Sequence, residues 1–253
     1  MKTTTVLRAI TCFLAITLTS PAITATPAPK PSIVLVHGAL IDGSAWRGVY
    51  DVLVRNGYQV SVVQQPLTGL DEDVAATRRV LDQQTGPVVL VGHSYGGAII
   101  TVAGTDPKVK ALVYVAALVP DAGETAGQAA PPNPERLKDF IATSDGFVTL
   151  KPEKFAENFG ADLPRAQADF MAHAQMPVAV RAFEGRVDVA AWREKPSYFV
   201  LATEDRSLEP AAAERMAQRA GAKVTRVKAS HAVLISKPKA VAKVIEEAAW
   251  NIQ

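Results

Sequence analysis

VVLVGHSYGG occupies residues 88–97 and joins an apolar run directly to a glycine-rich turn. The run Val88–Val91 predicts a strand buried on both faces, and the small residues after it predict a helix over Gly97–Gly104. Between them, residues 92–96 form the pattern G-x-S-x-G, which is typical of a nucleophile elbow. We therefore expect Ser94 in a strained turn, with its hydroxyl exposed at the carboxyl end of the strand.

A serine hydroxyl is a weak nucleophile until a neighbouring base accepts its proton. The chain has four histidines, at positions 37, 93, 173 and 231. His231 follows the predicted strand Lys223–Val227, so in a parallel sheet it lies at the same edge as Ser94. We therefore predict His231 as the base, and we expect His173 on the surface of an irregular middle region.

The base in turn needs an acid that fixes its tautomer, and the order serine, acid, histidine is expected in this type of sheet. The predicted strand Ser197–Ala202 is followed by Glu204 and Asp205. The residues alone leave both carboxylates open, and Asp205 is the preferred candidate because Glu204 is expected to face solvent or to pair locally.

Acyl transfer also requires hydrogen-bond donors for the charge that develops on the carbonyl oxygen. We expect one donor to be the main-chain N–H of Tyr95, the residue after the nucleophile. The other is expected from the loop His37-Gly38-Ala39 after the first predicted strand, with the N–H of Ala39 as the candidate.

Strands and helices alternate along most of the chain. Besides Val88–Val91, the predicted strands are Ser32–Val36, Tyr58–Val63, Val109–Val115, Ser197–Ala202 and Lys223–Val227. The predicted helices cover residues 45–56, 71–84, 97–104, 210–220 and 238–250. This order predicts an α/β fold with a mostly parallel central sheet and helices on both faces.

The alternation breaks at about residues 120–196. Prolines divide this stretch into short helical segments, expected at residues 134–143, 152–159, 164–174 and 178–183, and no strong strand is visible. We therefore predict a helical insert. Its large apolar side chains are candidates for lining a pocket: Phe147, Phe155, Phe170, Met171, Met176, Phe183 and Trp192.

Residues 1–25 have the pattern of a secretory signal peptide, with Lys2 and Arg8 near the start, an apolar run, and small residues up to Ala25. The apolar run has about half the length that a membrane-spanning helix needs. Residues 26–31 (TPAPKP) are predicted to form an extended linker. We therefore expect a secreted or periplasmic protein.

The composition excludes several classes of protein. An apolar content of 48% and a charged content of 21% over 253 residues are ordinary for a globular chain. The net charge of +2 lacks the basic excess of a nucleic-acid binder. The single cysteine, Cys12, excludes an internal disulfide and a cysteine-based metal site. We expect a small-molecule ester as partner, with no nucleic acid and no stable membrane association.

Four stretches together resemble the α/β-hydrolase superfamily: IVLVHGA at 33–39, VGHSYGG at 91–97, ATEDRSLEP at 202–210 and SHAVLISKP at 230–238. More narrowly, the chain resembles the small branch that holds plant methyl-ester esterases, hydroxynitrile lyases and many bacterial carboxylesterases. The resemblance implies an α/β-hydrolase domain over residues 32–253, with the insert at about 120–196 as a cap, and no cofactor or metal. It implies that Ser94, Asp205 and His231 form the catalytic triad and that the main-chain N–H groups of Ala39 and Tyr95 are the oxyanion donors.

The hydroxynitrile lyases of this branch carry a threonine after the first-strand histidine and a lysine after the catalytic histidine. This chain has Gly38 and Ala232 at those places, which favours hydrolysis over cyanohydrin cleavage. We expect a serine hydrolase that cleaves small hydrophobic carboxylic esters through an acyl-enzyme. The alternatives are perhydrolysis, carbon–carbon bond hydrolysis or a lyase reaction on the same triad, and a ligand-binding sensor with the same fold.

Overall fold

The computed structural model describes residue 1 and residues 30–252. The predicted signal peptide beyond Met1 and most of the predicted linker lie outside the described residues. None of the helices in the described part of the chain has both the length and the apolar character that crossing a bilayer requires.

The first part of the described chain alternates short strands with helices. In chain order these are β1 (Ser32–Val36), α1 (Arg47–Arg55), β2 (Val60–Val63), α2 (Leu70–Asp82), β3 (Val88–His93), α3 (Gly96–Ala103) and β4 (Val109–Val115). Every residue of β1 and β3 is buried, and most of them are apolar, as expected for central strands covered on both faces.

The insert combines short helices with short strands. Its elements are α4 (Ala126–Ala129), α5 (Pro134–Leu137), β5 (Phe140–Ala142), β6 (Phe147–Leu150), α6 (Pro152–Asn158), α7 (Arg165–His173) and β7 (Val178–Ala179). The strands form an antiparallel sheet in the order β5-β6-β7. A 3-10 helix over Val180–Phe183 follows β7.

The prediction of a helical insert was therefore incomplete, because the insert also contains three short strands that the sequence did not reveal. The helices over residues 152–159 and 164–174 are confirmed almost to the residue as α6 and α7, whereas the stretches at 134–143 and 178–183 each contain a strand. These strands have two to four residues, too few for a period of two to be visible in the sequence. The pairing of Phe147 with Ala179 also links distant parts of the chain, which local patterns do not report.

After the insert the alternation resumes and completes the main sheet. The elements are β8 (Ser197–Ala202), α8 (Pro210–Arg219), β9 (Lys223–Val227), α9 (Val233–Ser236) and α10 (Pro238–Trp250). The six strands pair in the order β2-β1-β3-β4-β8-β9, and every pair is parallel. The predicted α/β fold with a parallel central sheet and helices is confirmed.

Side chains from alternate positions of each strand pack against two helical layers. Val34 and Val36 of β1 point to the layer of α2, α3 and α8, whereas Ile33 and Leu35 point to the layer of α1, α9 and α10. This double covering explains why apolar residues occupy successive positions of the central strands and not only every second one. The edge strands β2 and β9 are only half buried.

The strand register gathers the carboxyl ends of the strands at one edge of the sheet. Val36 of β1 pairs with Gly92 of β3, and Ala202 of β8 pairs with Val227 of β9. The loops that begin after these residues therefore emerge side by side. They carry the candidate residues that the sequence singled out, and the insert packs over them.

Candidate active site

Ser94 occupies the sharp turn between β3 and α3. Its φ of +53° lies in the left-handed region that residues with a side chain rarely adopt. The motif glycines make this turn possible, because a Cβ at Gly92 would lie 2.5 Å from the carbonyl oxygen of Gly96, and one at Gly96 would lie 2.6 Å from that of His37. The main chain therefore passes closely on both sides of Ser94, as the elbow pattern predicted.

His231 lies against Ser94, as predicted from the strand order. Its Nε2 is 2.8 Å from Oγ of Ser94, and its Nδ1 is 2.7 Å from Oδ2 of Asp205. Asp205 and His231 are both nearly inaccessible to solvent, at 6% and 3% exposure. The three side chains thus form a continuous hydrogen-bonded row in which Asp205 fixes the ring of His231 and His231 faces the serine hydroxyl.

Of the two adjacent carboxylates, the structure brings Asp205 and not Glu204 to the histidine. Oδ1 of Asp205 accepts the main-chain N–H groups of Ser207 and Leu208, at 2.8 and 2.9 Å. Glu204 is exposed, and its carboxylate lies 3.6 Å from Nζ of Lys228. Both carboxyl oxygens of Asp205 are therefore engaged by the protein, which holds the side chain in a single orientation.

The two main-chain N–H groups predicted as oxyanion donors lie in the loops that flank Ser94. Within residues 30–252, neither the N–H of Ala39 nor that of Tyr95 donates to a protein acceptor. Ala39 lines the same cavity as Ser94 and His231. Two amides without a protein partner, one in the turn that carries the serine and one in the loop after β1, are the arrangement expected of an oxyanion hole.

The ring of Tyr95 does not line the cavity. It is fully buried, and its hydroxyl donates to Oδ2 of Asp73 at 2.9 Å. Asp73 lies in the first turn of α2 and is itself fully buried. Sequence reasoning missed this carboxylate, because Asp71, Glu72 and Asp73 together are typical of an exposed helix N-terminus.

His93 is a second residue that the sequence did not single out. Its Nε2 donates to the main-chain carbonyl of His231 at 3.0 Å, and the two rings lie 4.8 Å apart between centroids. Burial, and to a lesser extent the neighbouring His231, lowers the pKa of His93 well below its usual value, so the ring is neutral. His93 thus supports the main chain of His231 from the side of the elbow.

His37 and His173 lie apart from this row of hydrogen bonds. His37 is fully buried, and its Nδ1 donates to the carbonyl of Gly38 at 2.9 Å. His173 is exposed on α7, as expected. Within the described chain, no group of three His, Cys, Asp or Glu side chains is arranged to hold a metal ion.

Residues of the insert form hydrogen bonds with the loop that carries His231. The carbonyl oxygen of Phe159 accepts the N–H of Ala232 at 3.0 Å and the hydroxyl of Ser230 at 3.1 Å. The Phe159 ring meets the His231 ring edge to face, with centroids 5.0 Å apart. The hydroxyl of Ser230 also bonds to Asp162. The position of His231 therefore depends on the end of α6 and on the residues that follow it.

A cavity of about 520 Å³ opens between the insert and the sheet edge, and Ser94 and His231 line it. Most of the lining is apolar and comes from the insert and the nearby loops: Leu40, Leu118, Phe140, Val148, Leu150, Phe159, Val178 and Phe183. A smaller polar part contains Asn133, Arg136, Arg206, Ser207, Glu209 and Arg215.

Of the seven apolar side chains considered as pocket residues, only Phe183 lines this cavity. Phe155 is fully buried in the core, and the Trp192 indole N–H donates to the carbonyl of Pro120 at 2.9 Å. Phe170 points to solvent with 72% exposure. The apolar lining was predicted, but most of the residues that provide it were not, because several of them lie on the short strands of the insert, which the sequence did not reveal.

The positions that distinguish this chain from the hydroxynitrile lyases are tightly packed. A Cβ at Gly38 would lie 2.7 Å from Cβ of Ser94 and 2.9 Å from Nδ1 of His93. Ala232 is fully buried behind His231. The turn after β1 therefore has no room for the threonine of those lyases unless the elbow shifts.

Comparison with known proteins places the chain in a family. The model of the alpha/beta hydrolase family matches residues 33–244. The chain is 26% identical to the alpha/beta hydrolase nvfD of Aspergillus novofumigatus over 87% of this chain and 97% of the relative. It is 28% identical to a pyrethroid hydrolase of Sphingobium wenxiniae over 85% of this chain and 86% of the relative.

Shorter matches and solved structures agree with this placement. Methylesterase 8 of Arabidopsis thaliana is 29% identical over 36% of this chain and 39% of its own length. The crystal structure of a pyrethroid hydrolase from Sphingobium faniae superposes with a TM-score of 0.75 at 23% identity, covering 87% of this chain and 97% of that one, which shows the same fold. The resemblance to the esterase branch is confirmed, and the chain belongs to the α/β-hydrolase family.

Proposed function

We propose that the protein is a carboxylic ester hydrolase in which Ser94 is the nucleophile, His231 the general base and Asp205 the residue that orients it. The observation that carries this proposal is the row of two hydrogen bonds, 2.8 Å from Ser94 to His231 and 2.7 Å from His231 to Asp205, at the wall of an apolar cavity. Relatives named methylesterase and pyrethroid hydrolase support the same reaction class.

In the first half of the reaction, Oγ of Ser94 attacks the ester carbonyl carbon while Nε2 of His231 takes the hydroxyl proton. The carbonyl oxygen becomes an oxyanion and accepts the N–H groups of Ala39 and Tyr95. The tetrahedral intermediate then expels the alcohol, which receives the proton from His231. This leaves an acyl group on Ser94.

In the second half, a water molecule takes the place of the alcohol. Nε2 of His231 removes a proton from the water, whose oxygen attacks the acyl carbon and forms a second oxyanion at the same two N–H groups. Its collapse breaks the bond to Oγ of Ser94, which regains the proton from His231. The carboxylic acid leaves, and the enzyme returns to its starting state.

The cavity favours a small, largely apolar ester. Its volume of about 520 Å³ is within the range of sites that bind small organic molecules. Leu40 and Leu118 lie on the sheet side, and Val148 and Phe183 belong to the insert, so apolar groups surround the bound ester from both sides. Gly38 and Ala232 favour hydrolysis over the lyase alternative.

A fluorophosphonate probe tests the nucleophile directly, since it forms a covalent bond to an activated serine and releases fluoride. We expect labelling of one peptide, at Ser94, and turnover of short-chain 4-nitrophenyl esters. Ser94→Ala should abolish both while the circular dichroism spectrum stays that of the wild type. Labelling and turnover that persist in Ser94→Ala would refute the assignment, and tight ligand binding without turnover would favour the sensor.

We also propose that the protein is exported and acts in the periplasm or outside the cell. This rests on the signal-like pattern of residues 1–25 and on the absence of cysteine after position 12. Once residues 1–25 are removed, the chain has no thiol that an oxidising compartment could cross-link.

A further inference from the structure

Asp73 is a buried carboxylate with two hydrogen-bond donors and no exposed surface. Its Oδ1 accepts the main-chain N–H of Leu67 at 2.8 Å, and its Oδ2 accepts the hydroxyl of Tyr95 at 2.9 Å. An ionised group is costly to bury unless it makes compensating bonds. None of the three proposed triad residues bonds to Asp73, so the proposed mechanism leaves it without a role.

Tyr95 connects this carboxylate to the oxyanion hole. The residue follows Ser94 directly, and its main-chain N–H is one of the two proposed donors. The ring is fully buried and lies 5.1 Å from the ring of Phe183, measured between centroids. The hydroxyl is the only polar atom of the side chain, and its bond to Asp73 fixes the outer end of the rigid ring. Because the ring is attached to the main chain of the same residue, this bond also restricts the orientation of the Tyr95 N–H.

Leu67 connects the same carboxylate to the insert. Its φ of +58° is in the left-handed region, which is unfavourable for leucine. Its N–H is held by Asp73, and its carbonyl oxygen accepts the N–H of Ala179 in β7 at 2.9 Å. Asp73 therefore lies where α2, the elbow turn and the insert meet.

We propose that Asp73 is a positioning residue of the oxyanion hole: through the hydroxyl of Tyr95 it holds the Tyr95 N–H in line with the developing oxyanion, and through Leu67 it ties that turn to the insert. This inference rests on the proposed function. It assigns to Asp73 an effect on the transition state and not on the binding of the ester.

The charge state of Asp73 gives the inference a measurable signature. Burial raises the pKa of Asp73 to about 6, against the opposing effect of the bonds from Tyr95 and Leu67. Glu72 on the same helix adds to the rise, and Arg181 of the insert lowers it slightly. Above this pH the carboxylate accepts two charge-assisted hydrogen bonds, which are stronger than those of the neutral acid.

Asp73→Asn tests the inference, because the amide has the same shape as the carboxylic acid and never ionises. At pH 8 we expect kcat to fall about tenfold, less than the 10²–10³ that removal of an oxyanion donor costs, with KM within about twofold of the wild type. The wild-type to variant ratio of kcat should shrink as the pH falls through 6 and approach one near pH 5.

A double-mutant cycle separates this role from general packing. If Asp73 acts through the tyrosine hydroxyl, Tyr95→Phe should lower kcat by a similar factor, and adding Asp73→Asn to it should change kcat by less than about twofold. Thr101→Val is the matched control, because it removes another buried hydroxyl of the same region, one bonded to Tyr114 at 3.0 Å. Its kcat should equal that of the wild type.

Three results would overturn the inference: a kcat ratio that is constant from pH 5 to pH 8, a rise in KM at unchanged kcat, or multiplicative effects of the two substitutions in the cycle. Near-UV circular dichroism checks that each variant is folded. If Asp73→Asn does not fold, Tyr95→Phe is sufficient as a test, because an unchanged kcat in that variant excludes positioning through the tyrosine hydroxyl. Failure of the proposed function is distinct, because it would appear as a wild type without turnover or labelling.

Discussion

Asp205 engages His231 with one carboxyl oxygen and two main-chain N–H groups with the other. Oδ2 lies 2.7 Å from Nδ1 of His231, while Oδ1 accepts the N–H groups of Ser207 and Leu208. The second set of bonds fixes which oxygen faces the histidine. Nδ1 must therefore carry the proton, and Nε2 is left as an acceptor towards Ser94, as a base requires.

This geometry predicts the effect of Asp205→Asn. The amide oxygen must accept the two main-chain N–H groups, so the NH₂ group faces His231 and forces Nδ1 to become the acceptor. Nε2 then carries the proton and no longer accepts one from Ser94. We expect kcat for a 4-nitrophenyl ester to fall by about 10⁴ with an intact fold.

Glu204→Gln is the matched control for Asp205→Asn, because it makes the same change in the neighbouring exposed residue. Its kcat should stay within about twofold of the wild type, as is usual for a surface substitution. A large loss in Glu204→Gln together with a small loss in Asp205→Asn would show that the wrong carboxylate has been assigned.

Gly38→Ala should disturb the elbow from the opposite loop. The added Cβ would lie 2.7 Å from Cβ of Ser94, so the serine or the loop must move. Displacement of a reacting group by a fraction of an ångström to 1 Å costs up to about 10² in rate, and we expect kcat to fall by about 10- to 100-fold. The measurement is steady-state hydrolysis of the same ester.

Gly86→Ala provides the comparison for Gly38→Ala, since a Cβ at Gly86 meets no atom within 4 Å. This variant should retain the wild-type kcat. Equal activity of Gly38→Ala and the wild type would contradict the close packing of the elbow against the loop after β1.

The positions of Ser94 and His231 were predictable because they depend on strand order. Parallel strands place the loops after β3 and β9 at one edge, and the G-x-S-x-G pattern shows where the turn falls. Asp205 was less certain, since adjacent residues alternate between facing the sheet and facing solvent. Their catalytic roles stay predictions until the variants are measured.

The bond between Asp73 and Tyr95 and the strands of the insert were not predictable in this way. The first joins a side chain of α2 to one in the turn between β3 and α3, and β6 pairs with β7 across about 30 residues of chain. Patterns of hydrophobicity report the neighbours of a residue along an element. They contain no information on contacts that depend on how separate elements pack.

Export gives a prediction that depends only on the sequence. In a Gram-negative host we expect the protein in the periplasm with an N-terminus near Thr26, measured by mass spectrometry of the intact chain. Leu14→Arg breaks the apolar run and should leave the protein in the cytoplasm with residues 1–25 attached. A wild-type periplasmic protein that begins at Met1 would exclude cleavage at this segment.

The buried carboxylate of Asp73 also makes stability depend on pH. Its pKa is raised from 3.8 to about 6, so between these values the folded protein binds a proton that the unfolded chain has released. The contribution of Asp73 to the free energy of unfolding therefore falls as the pH rises from about 4 to about 6, by at most about 3 kcal/mol. A loss of stability of this kind is expected where the ionised form of a buried residue contributes to the reaction, as we propose for Asp73.

Asp73→Asn removes this titration, so the free energy of unfolding of the variant, measured by urea titration, should rise relative to the wild type between pH 4 and pH 7. Only this change with pH is diagnostic, because the loss of the two hydrogen bonds to the carboxylate shifts the difference at all pH values. Asp71→Asn, which replaces an exposed carboxylate in the same turn of α2, should alter the free energy of unfolding by less than about 0.5 kcal/mol. If the free energies of unfolding of Asp73→Asn and the wild type differ by a constant amount from pH 4 to pH 7, Asp73 does not ionise in this range. There would then also be no reason to expect the ratio of wild-type to variant kcat to approach one at acidic pH.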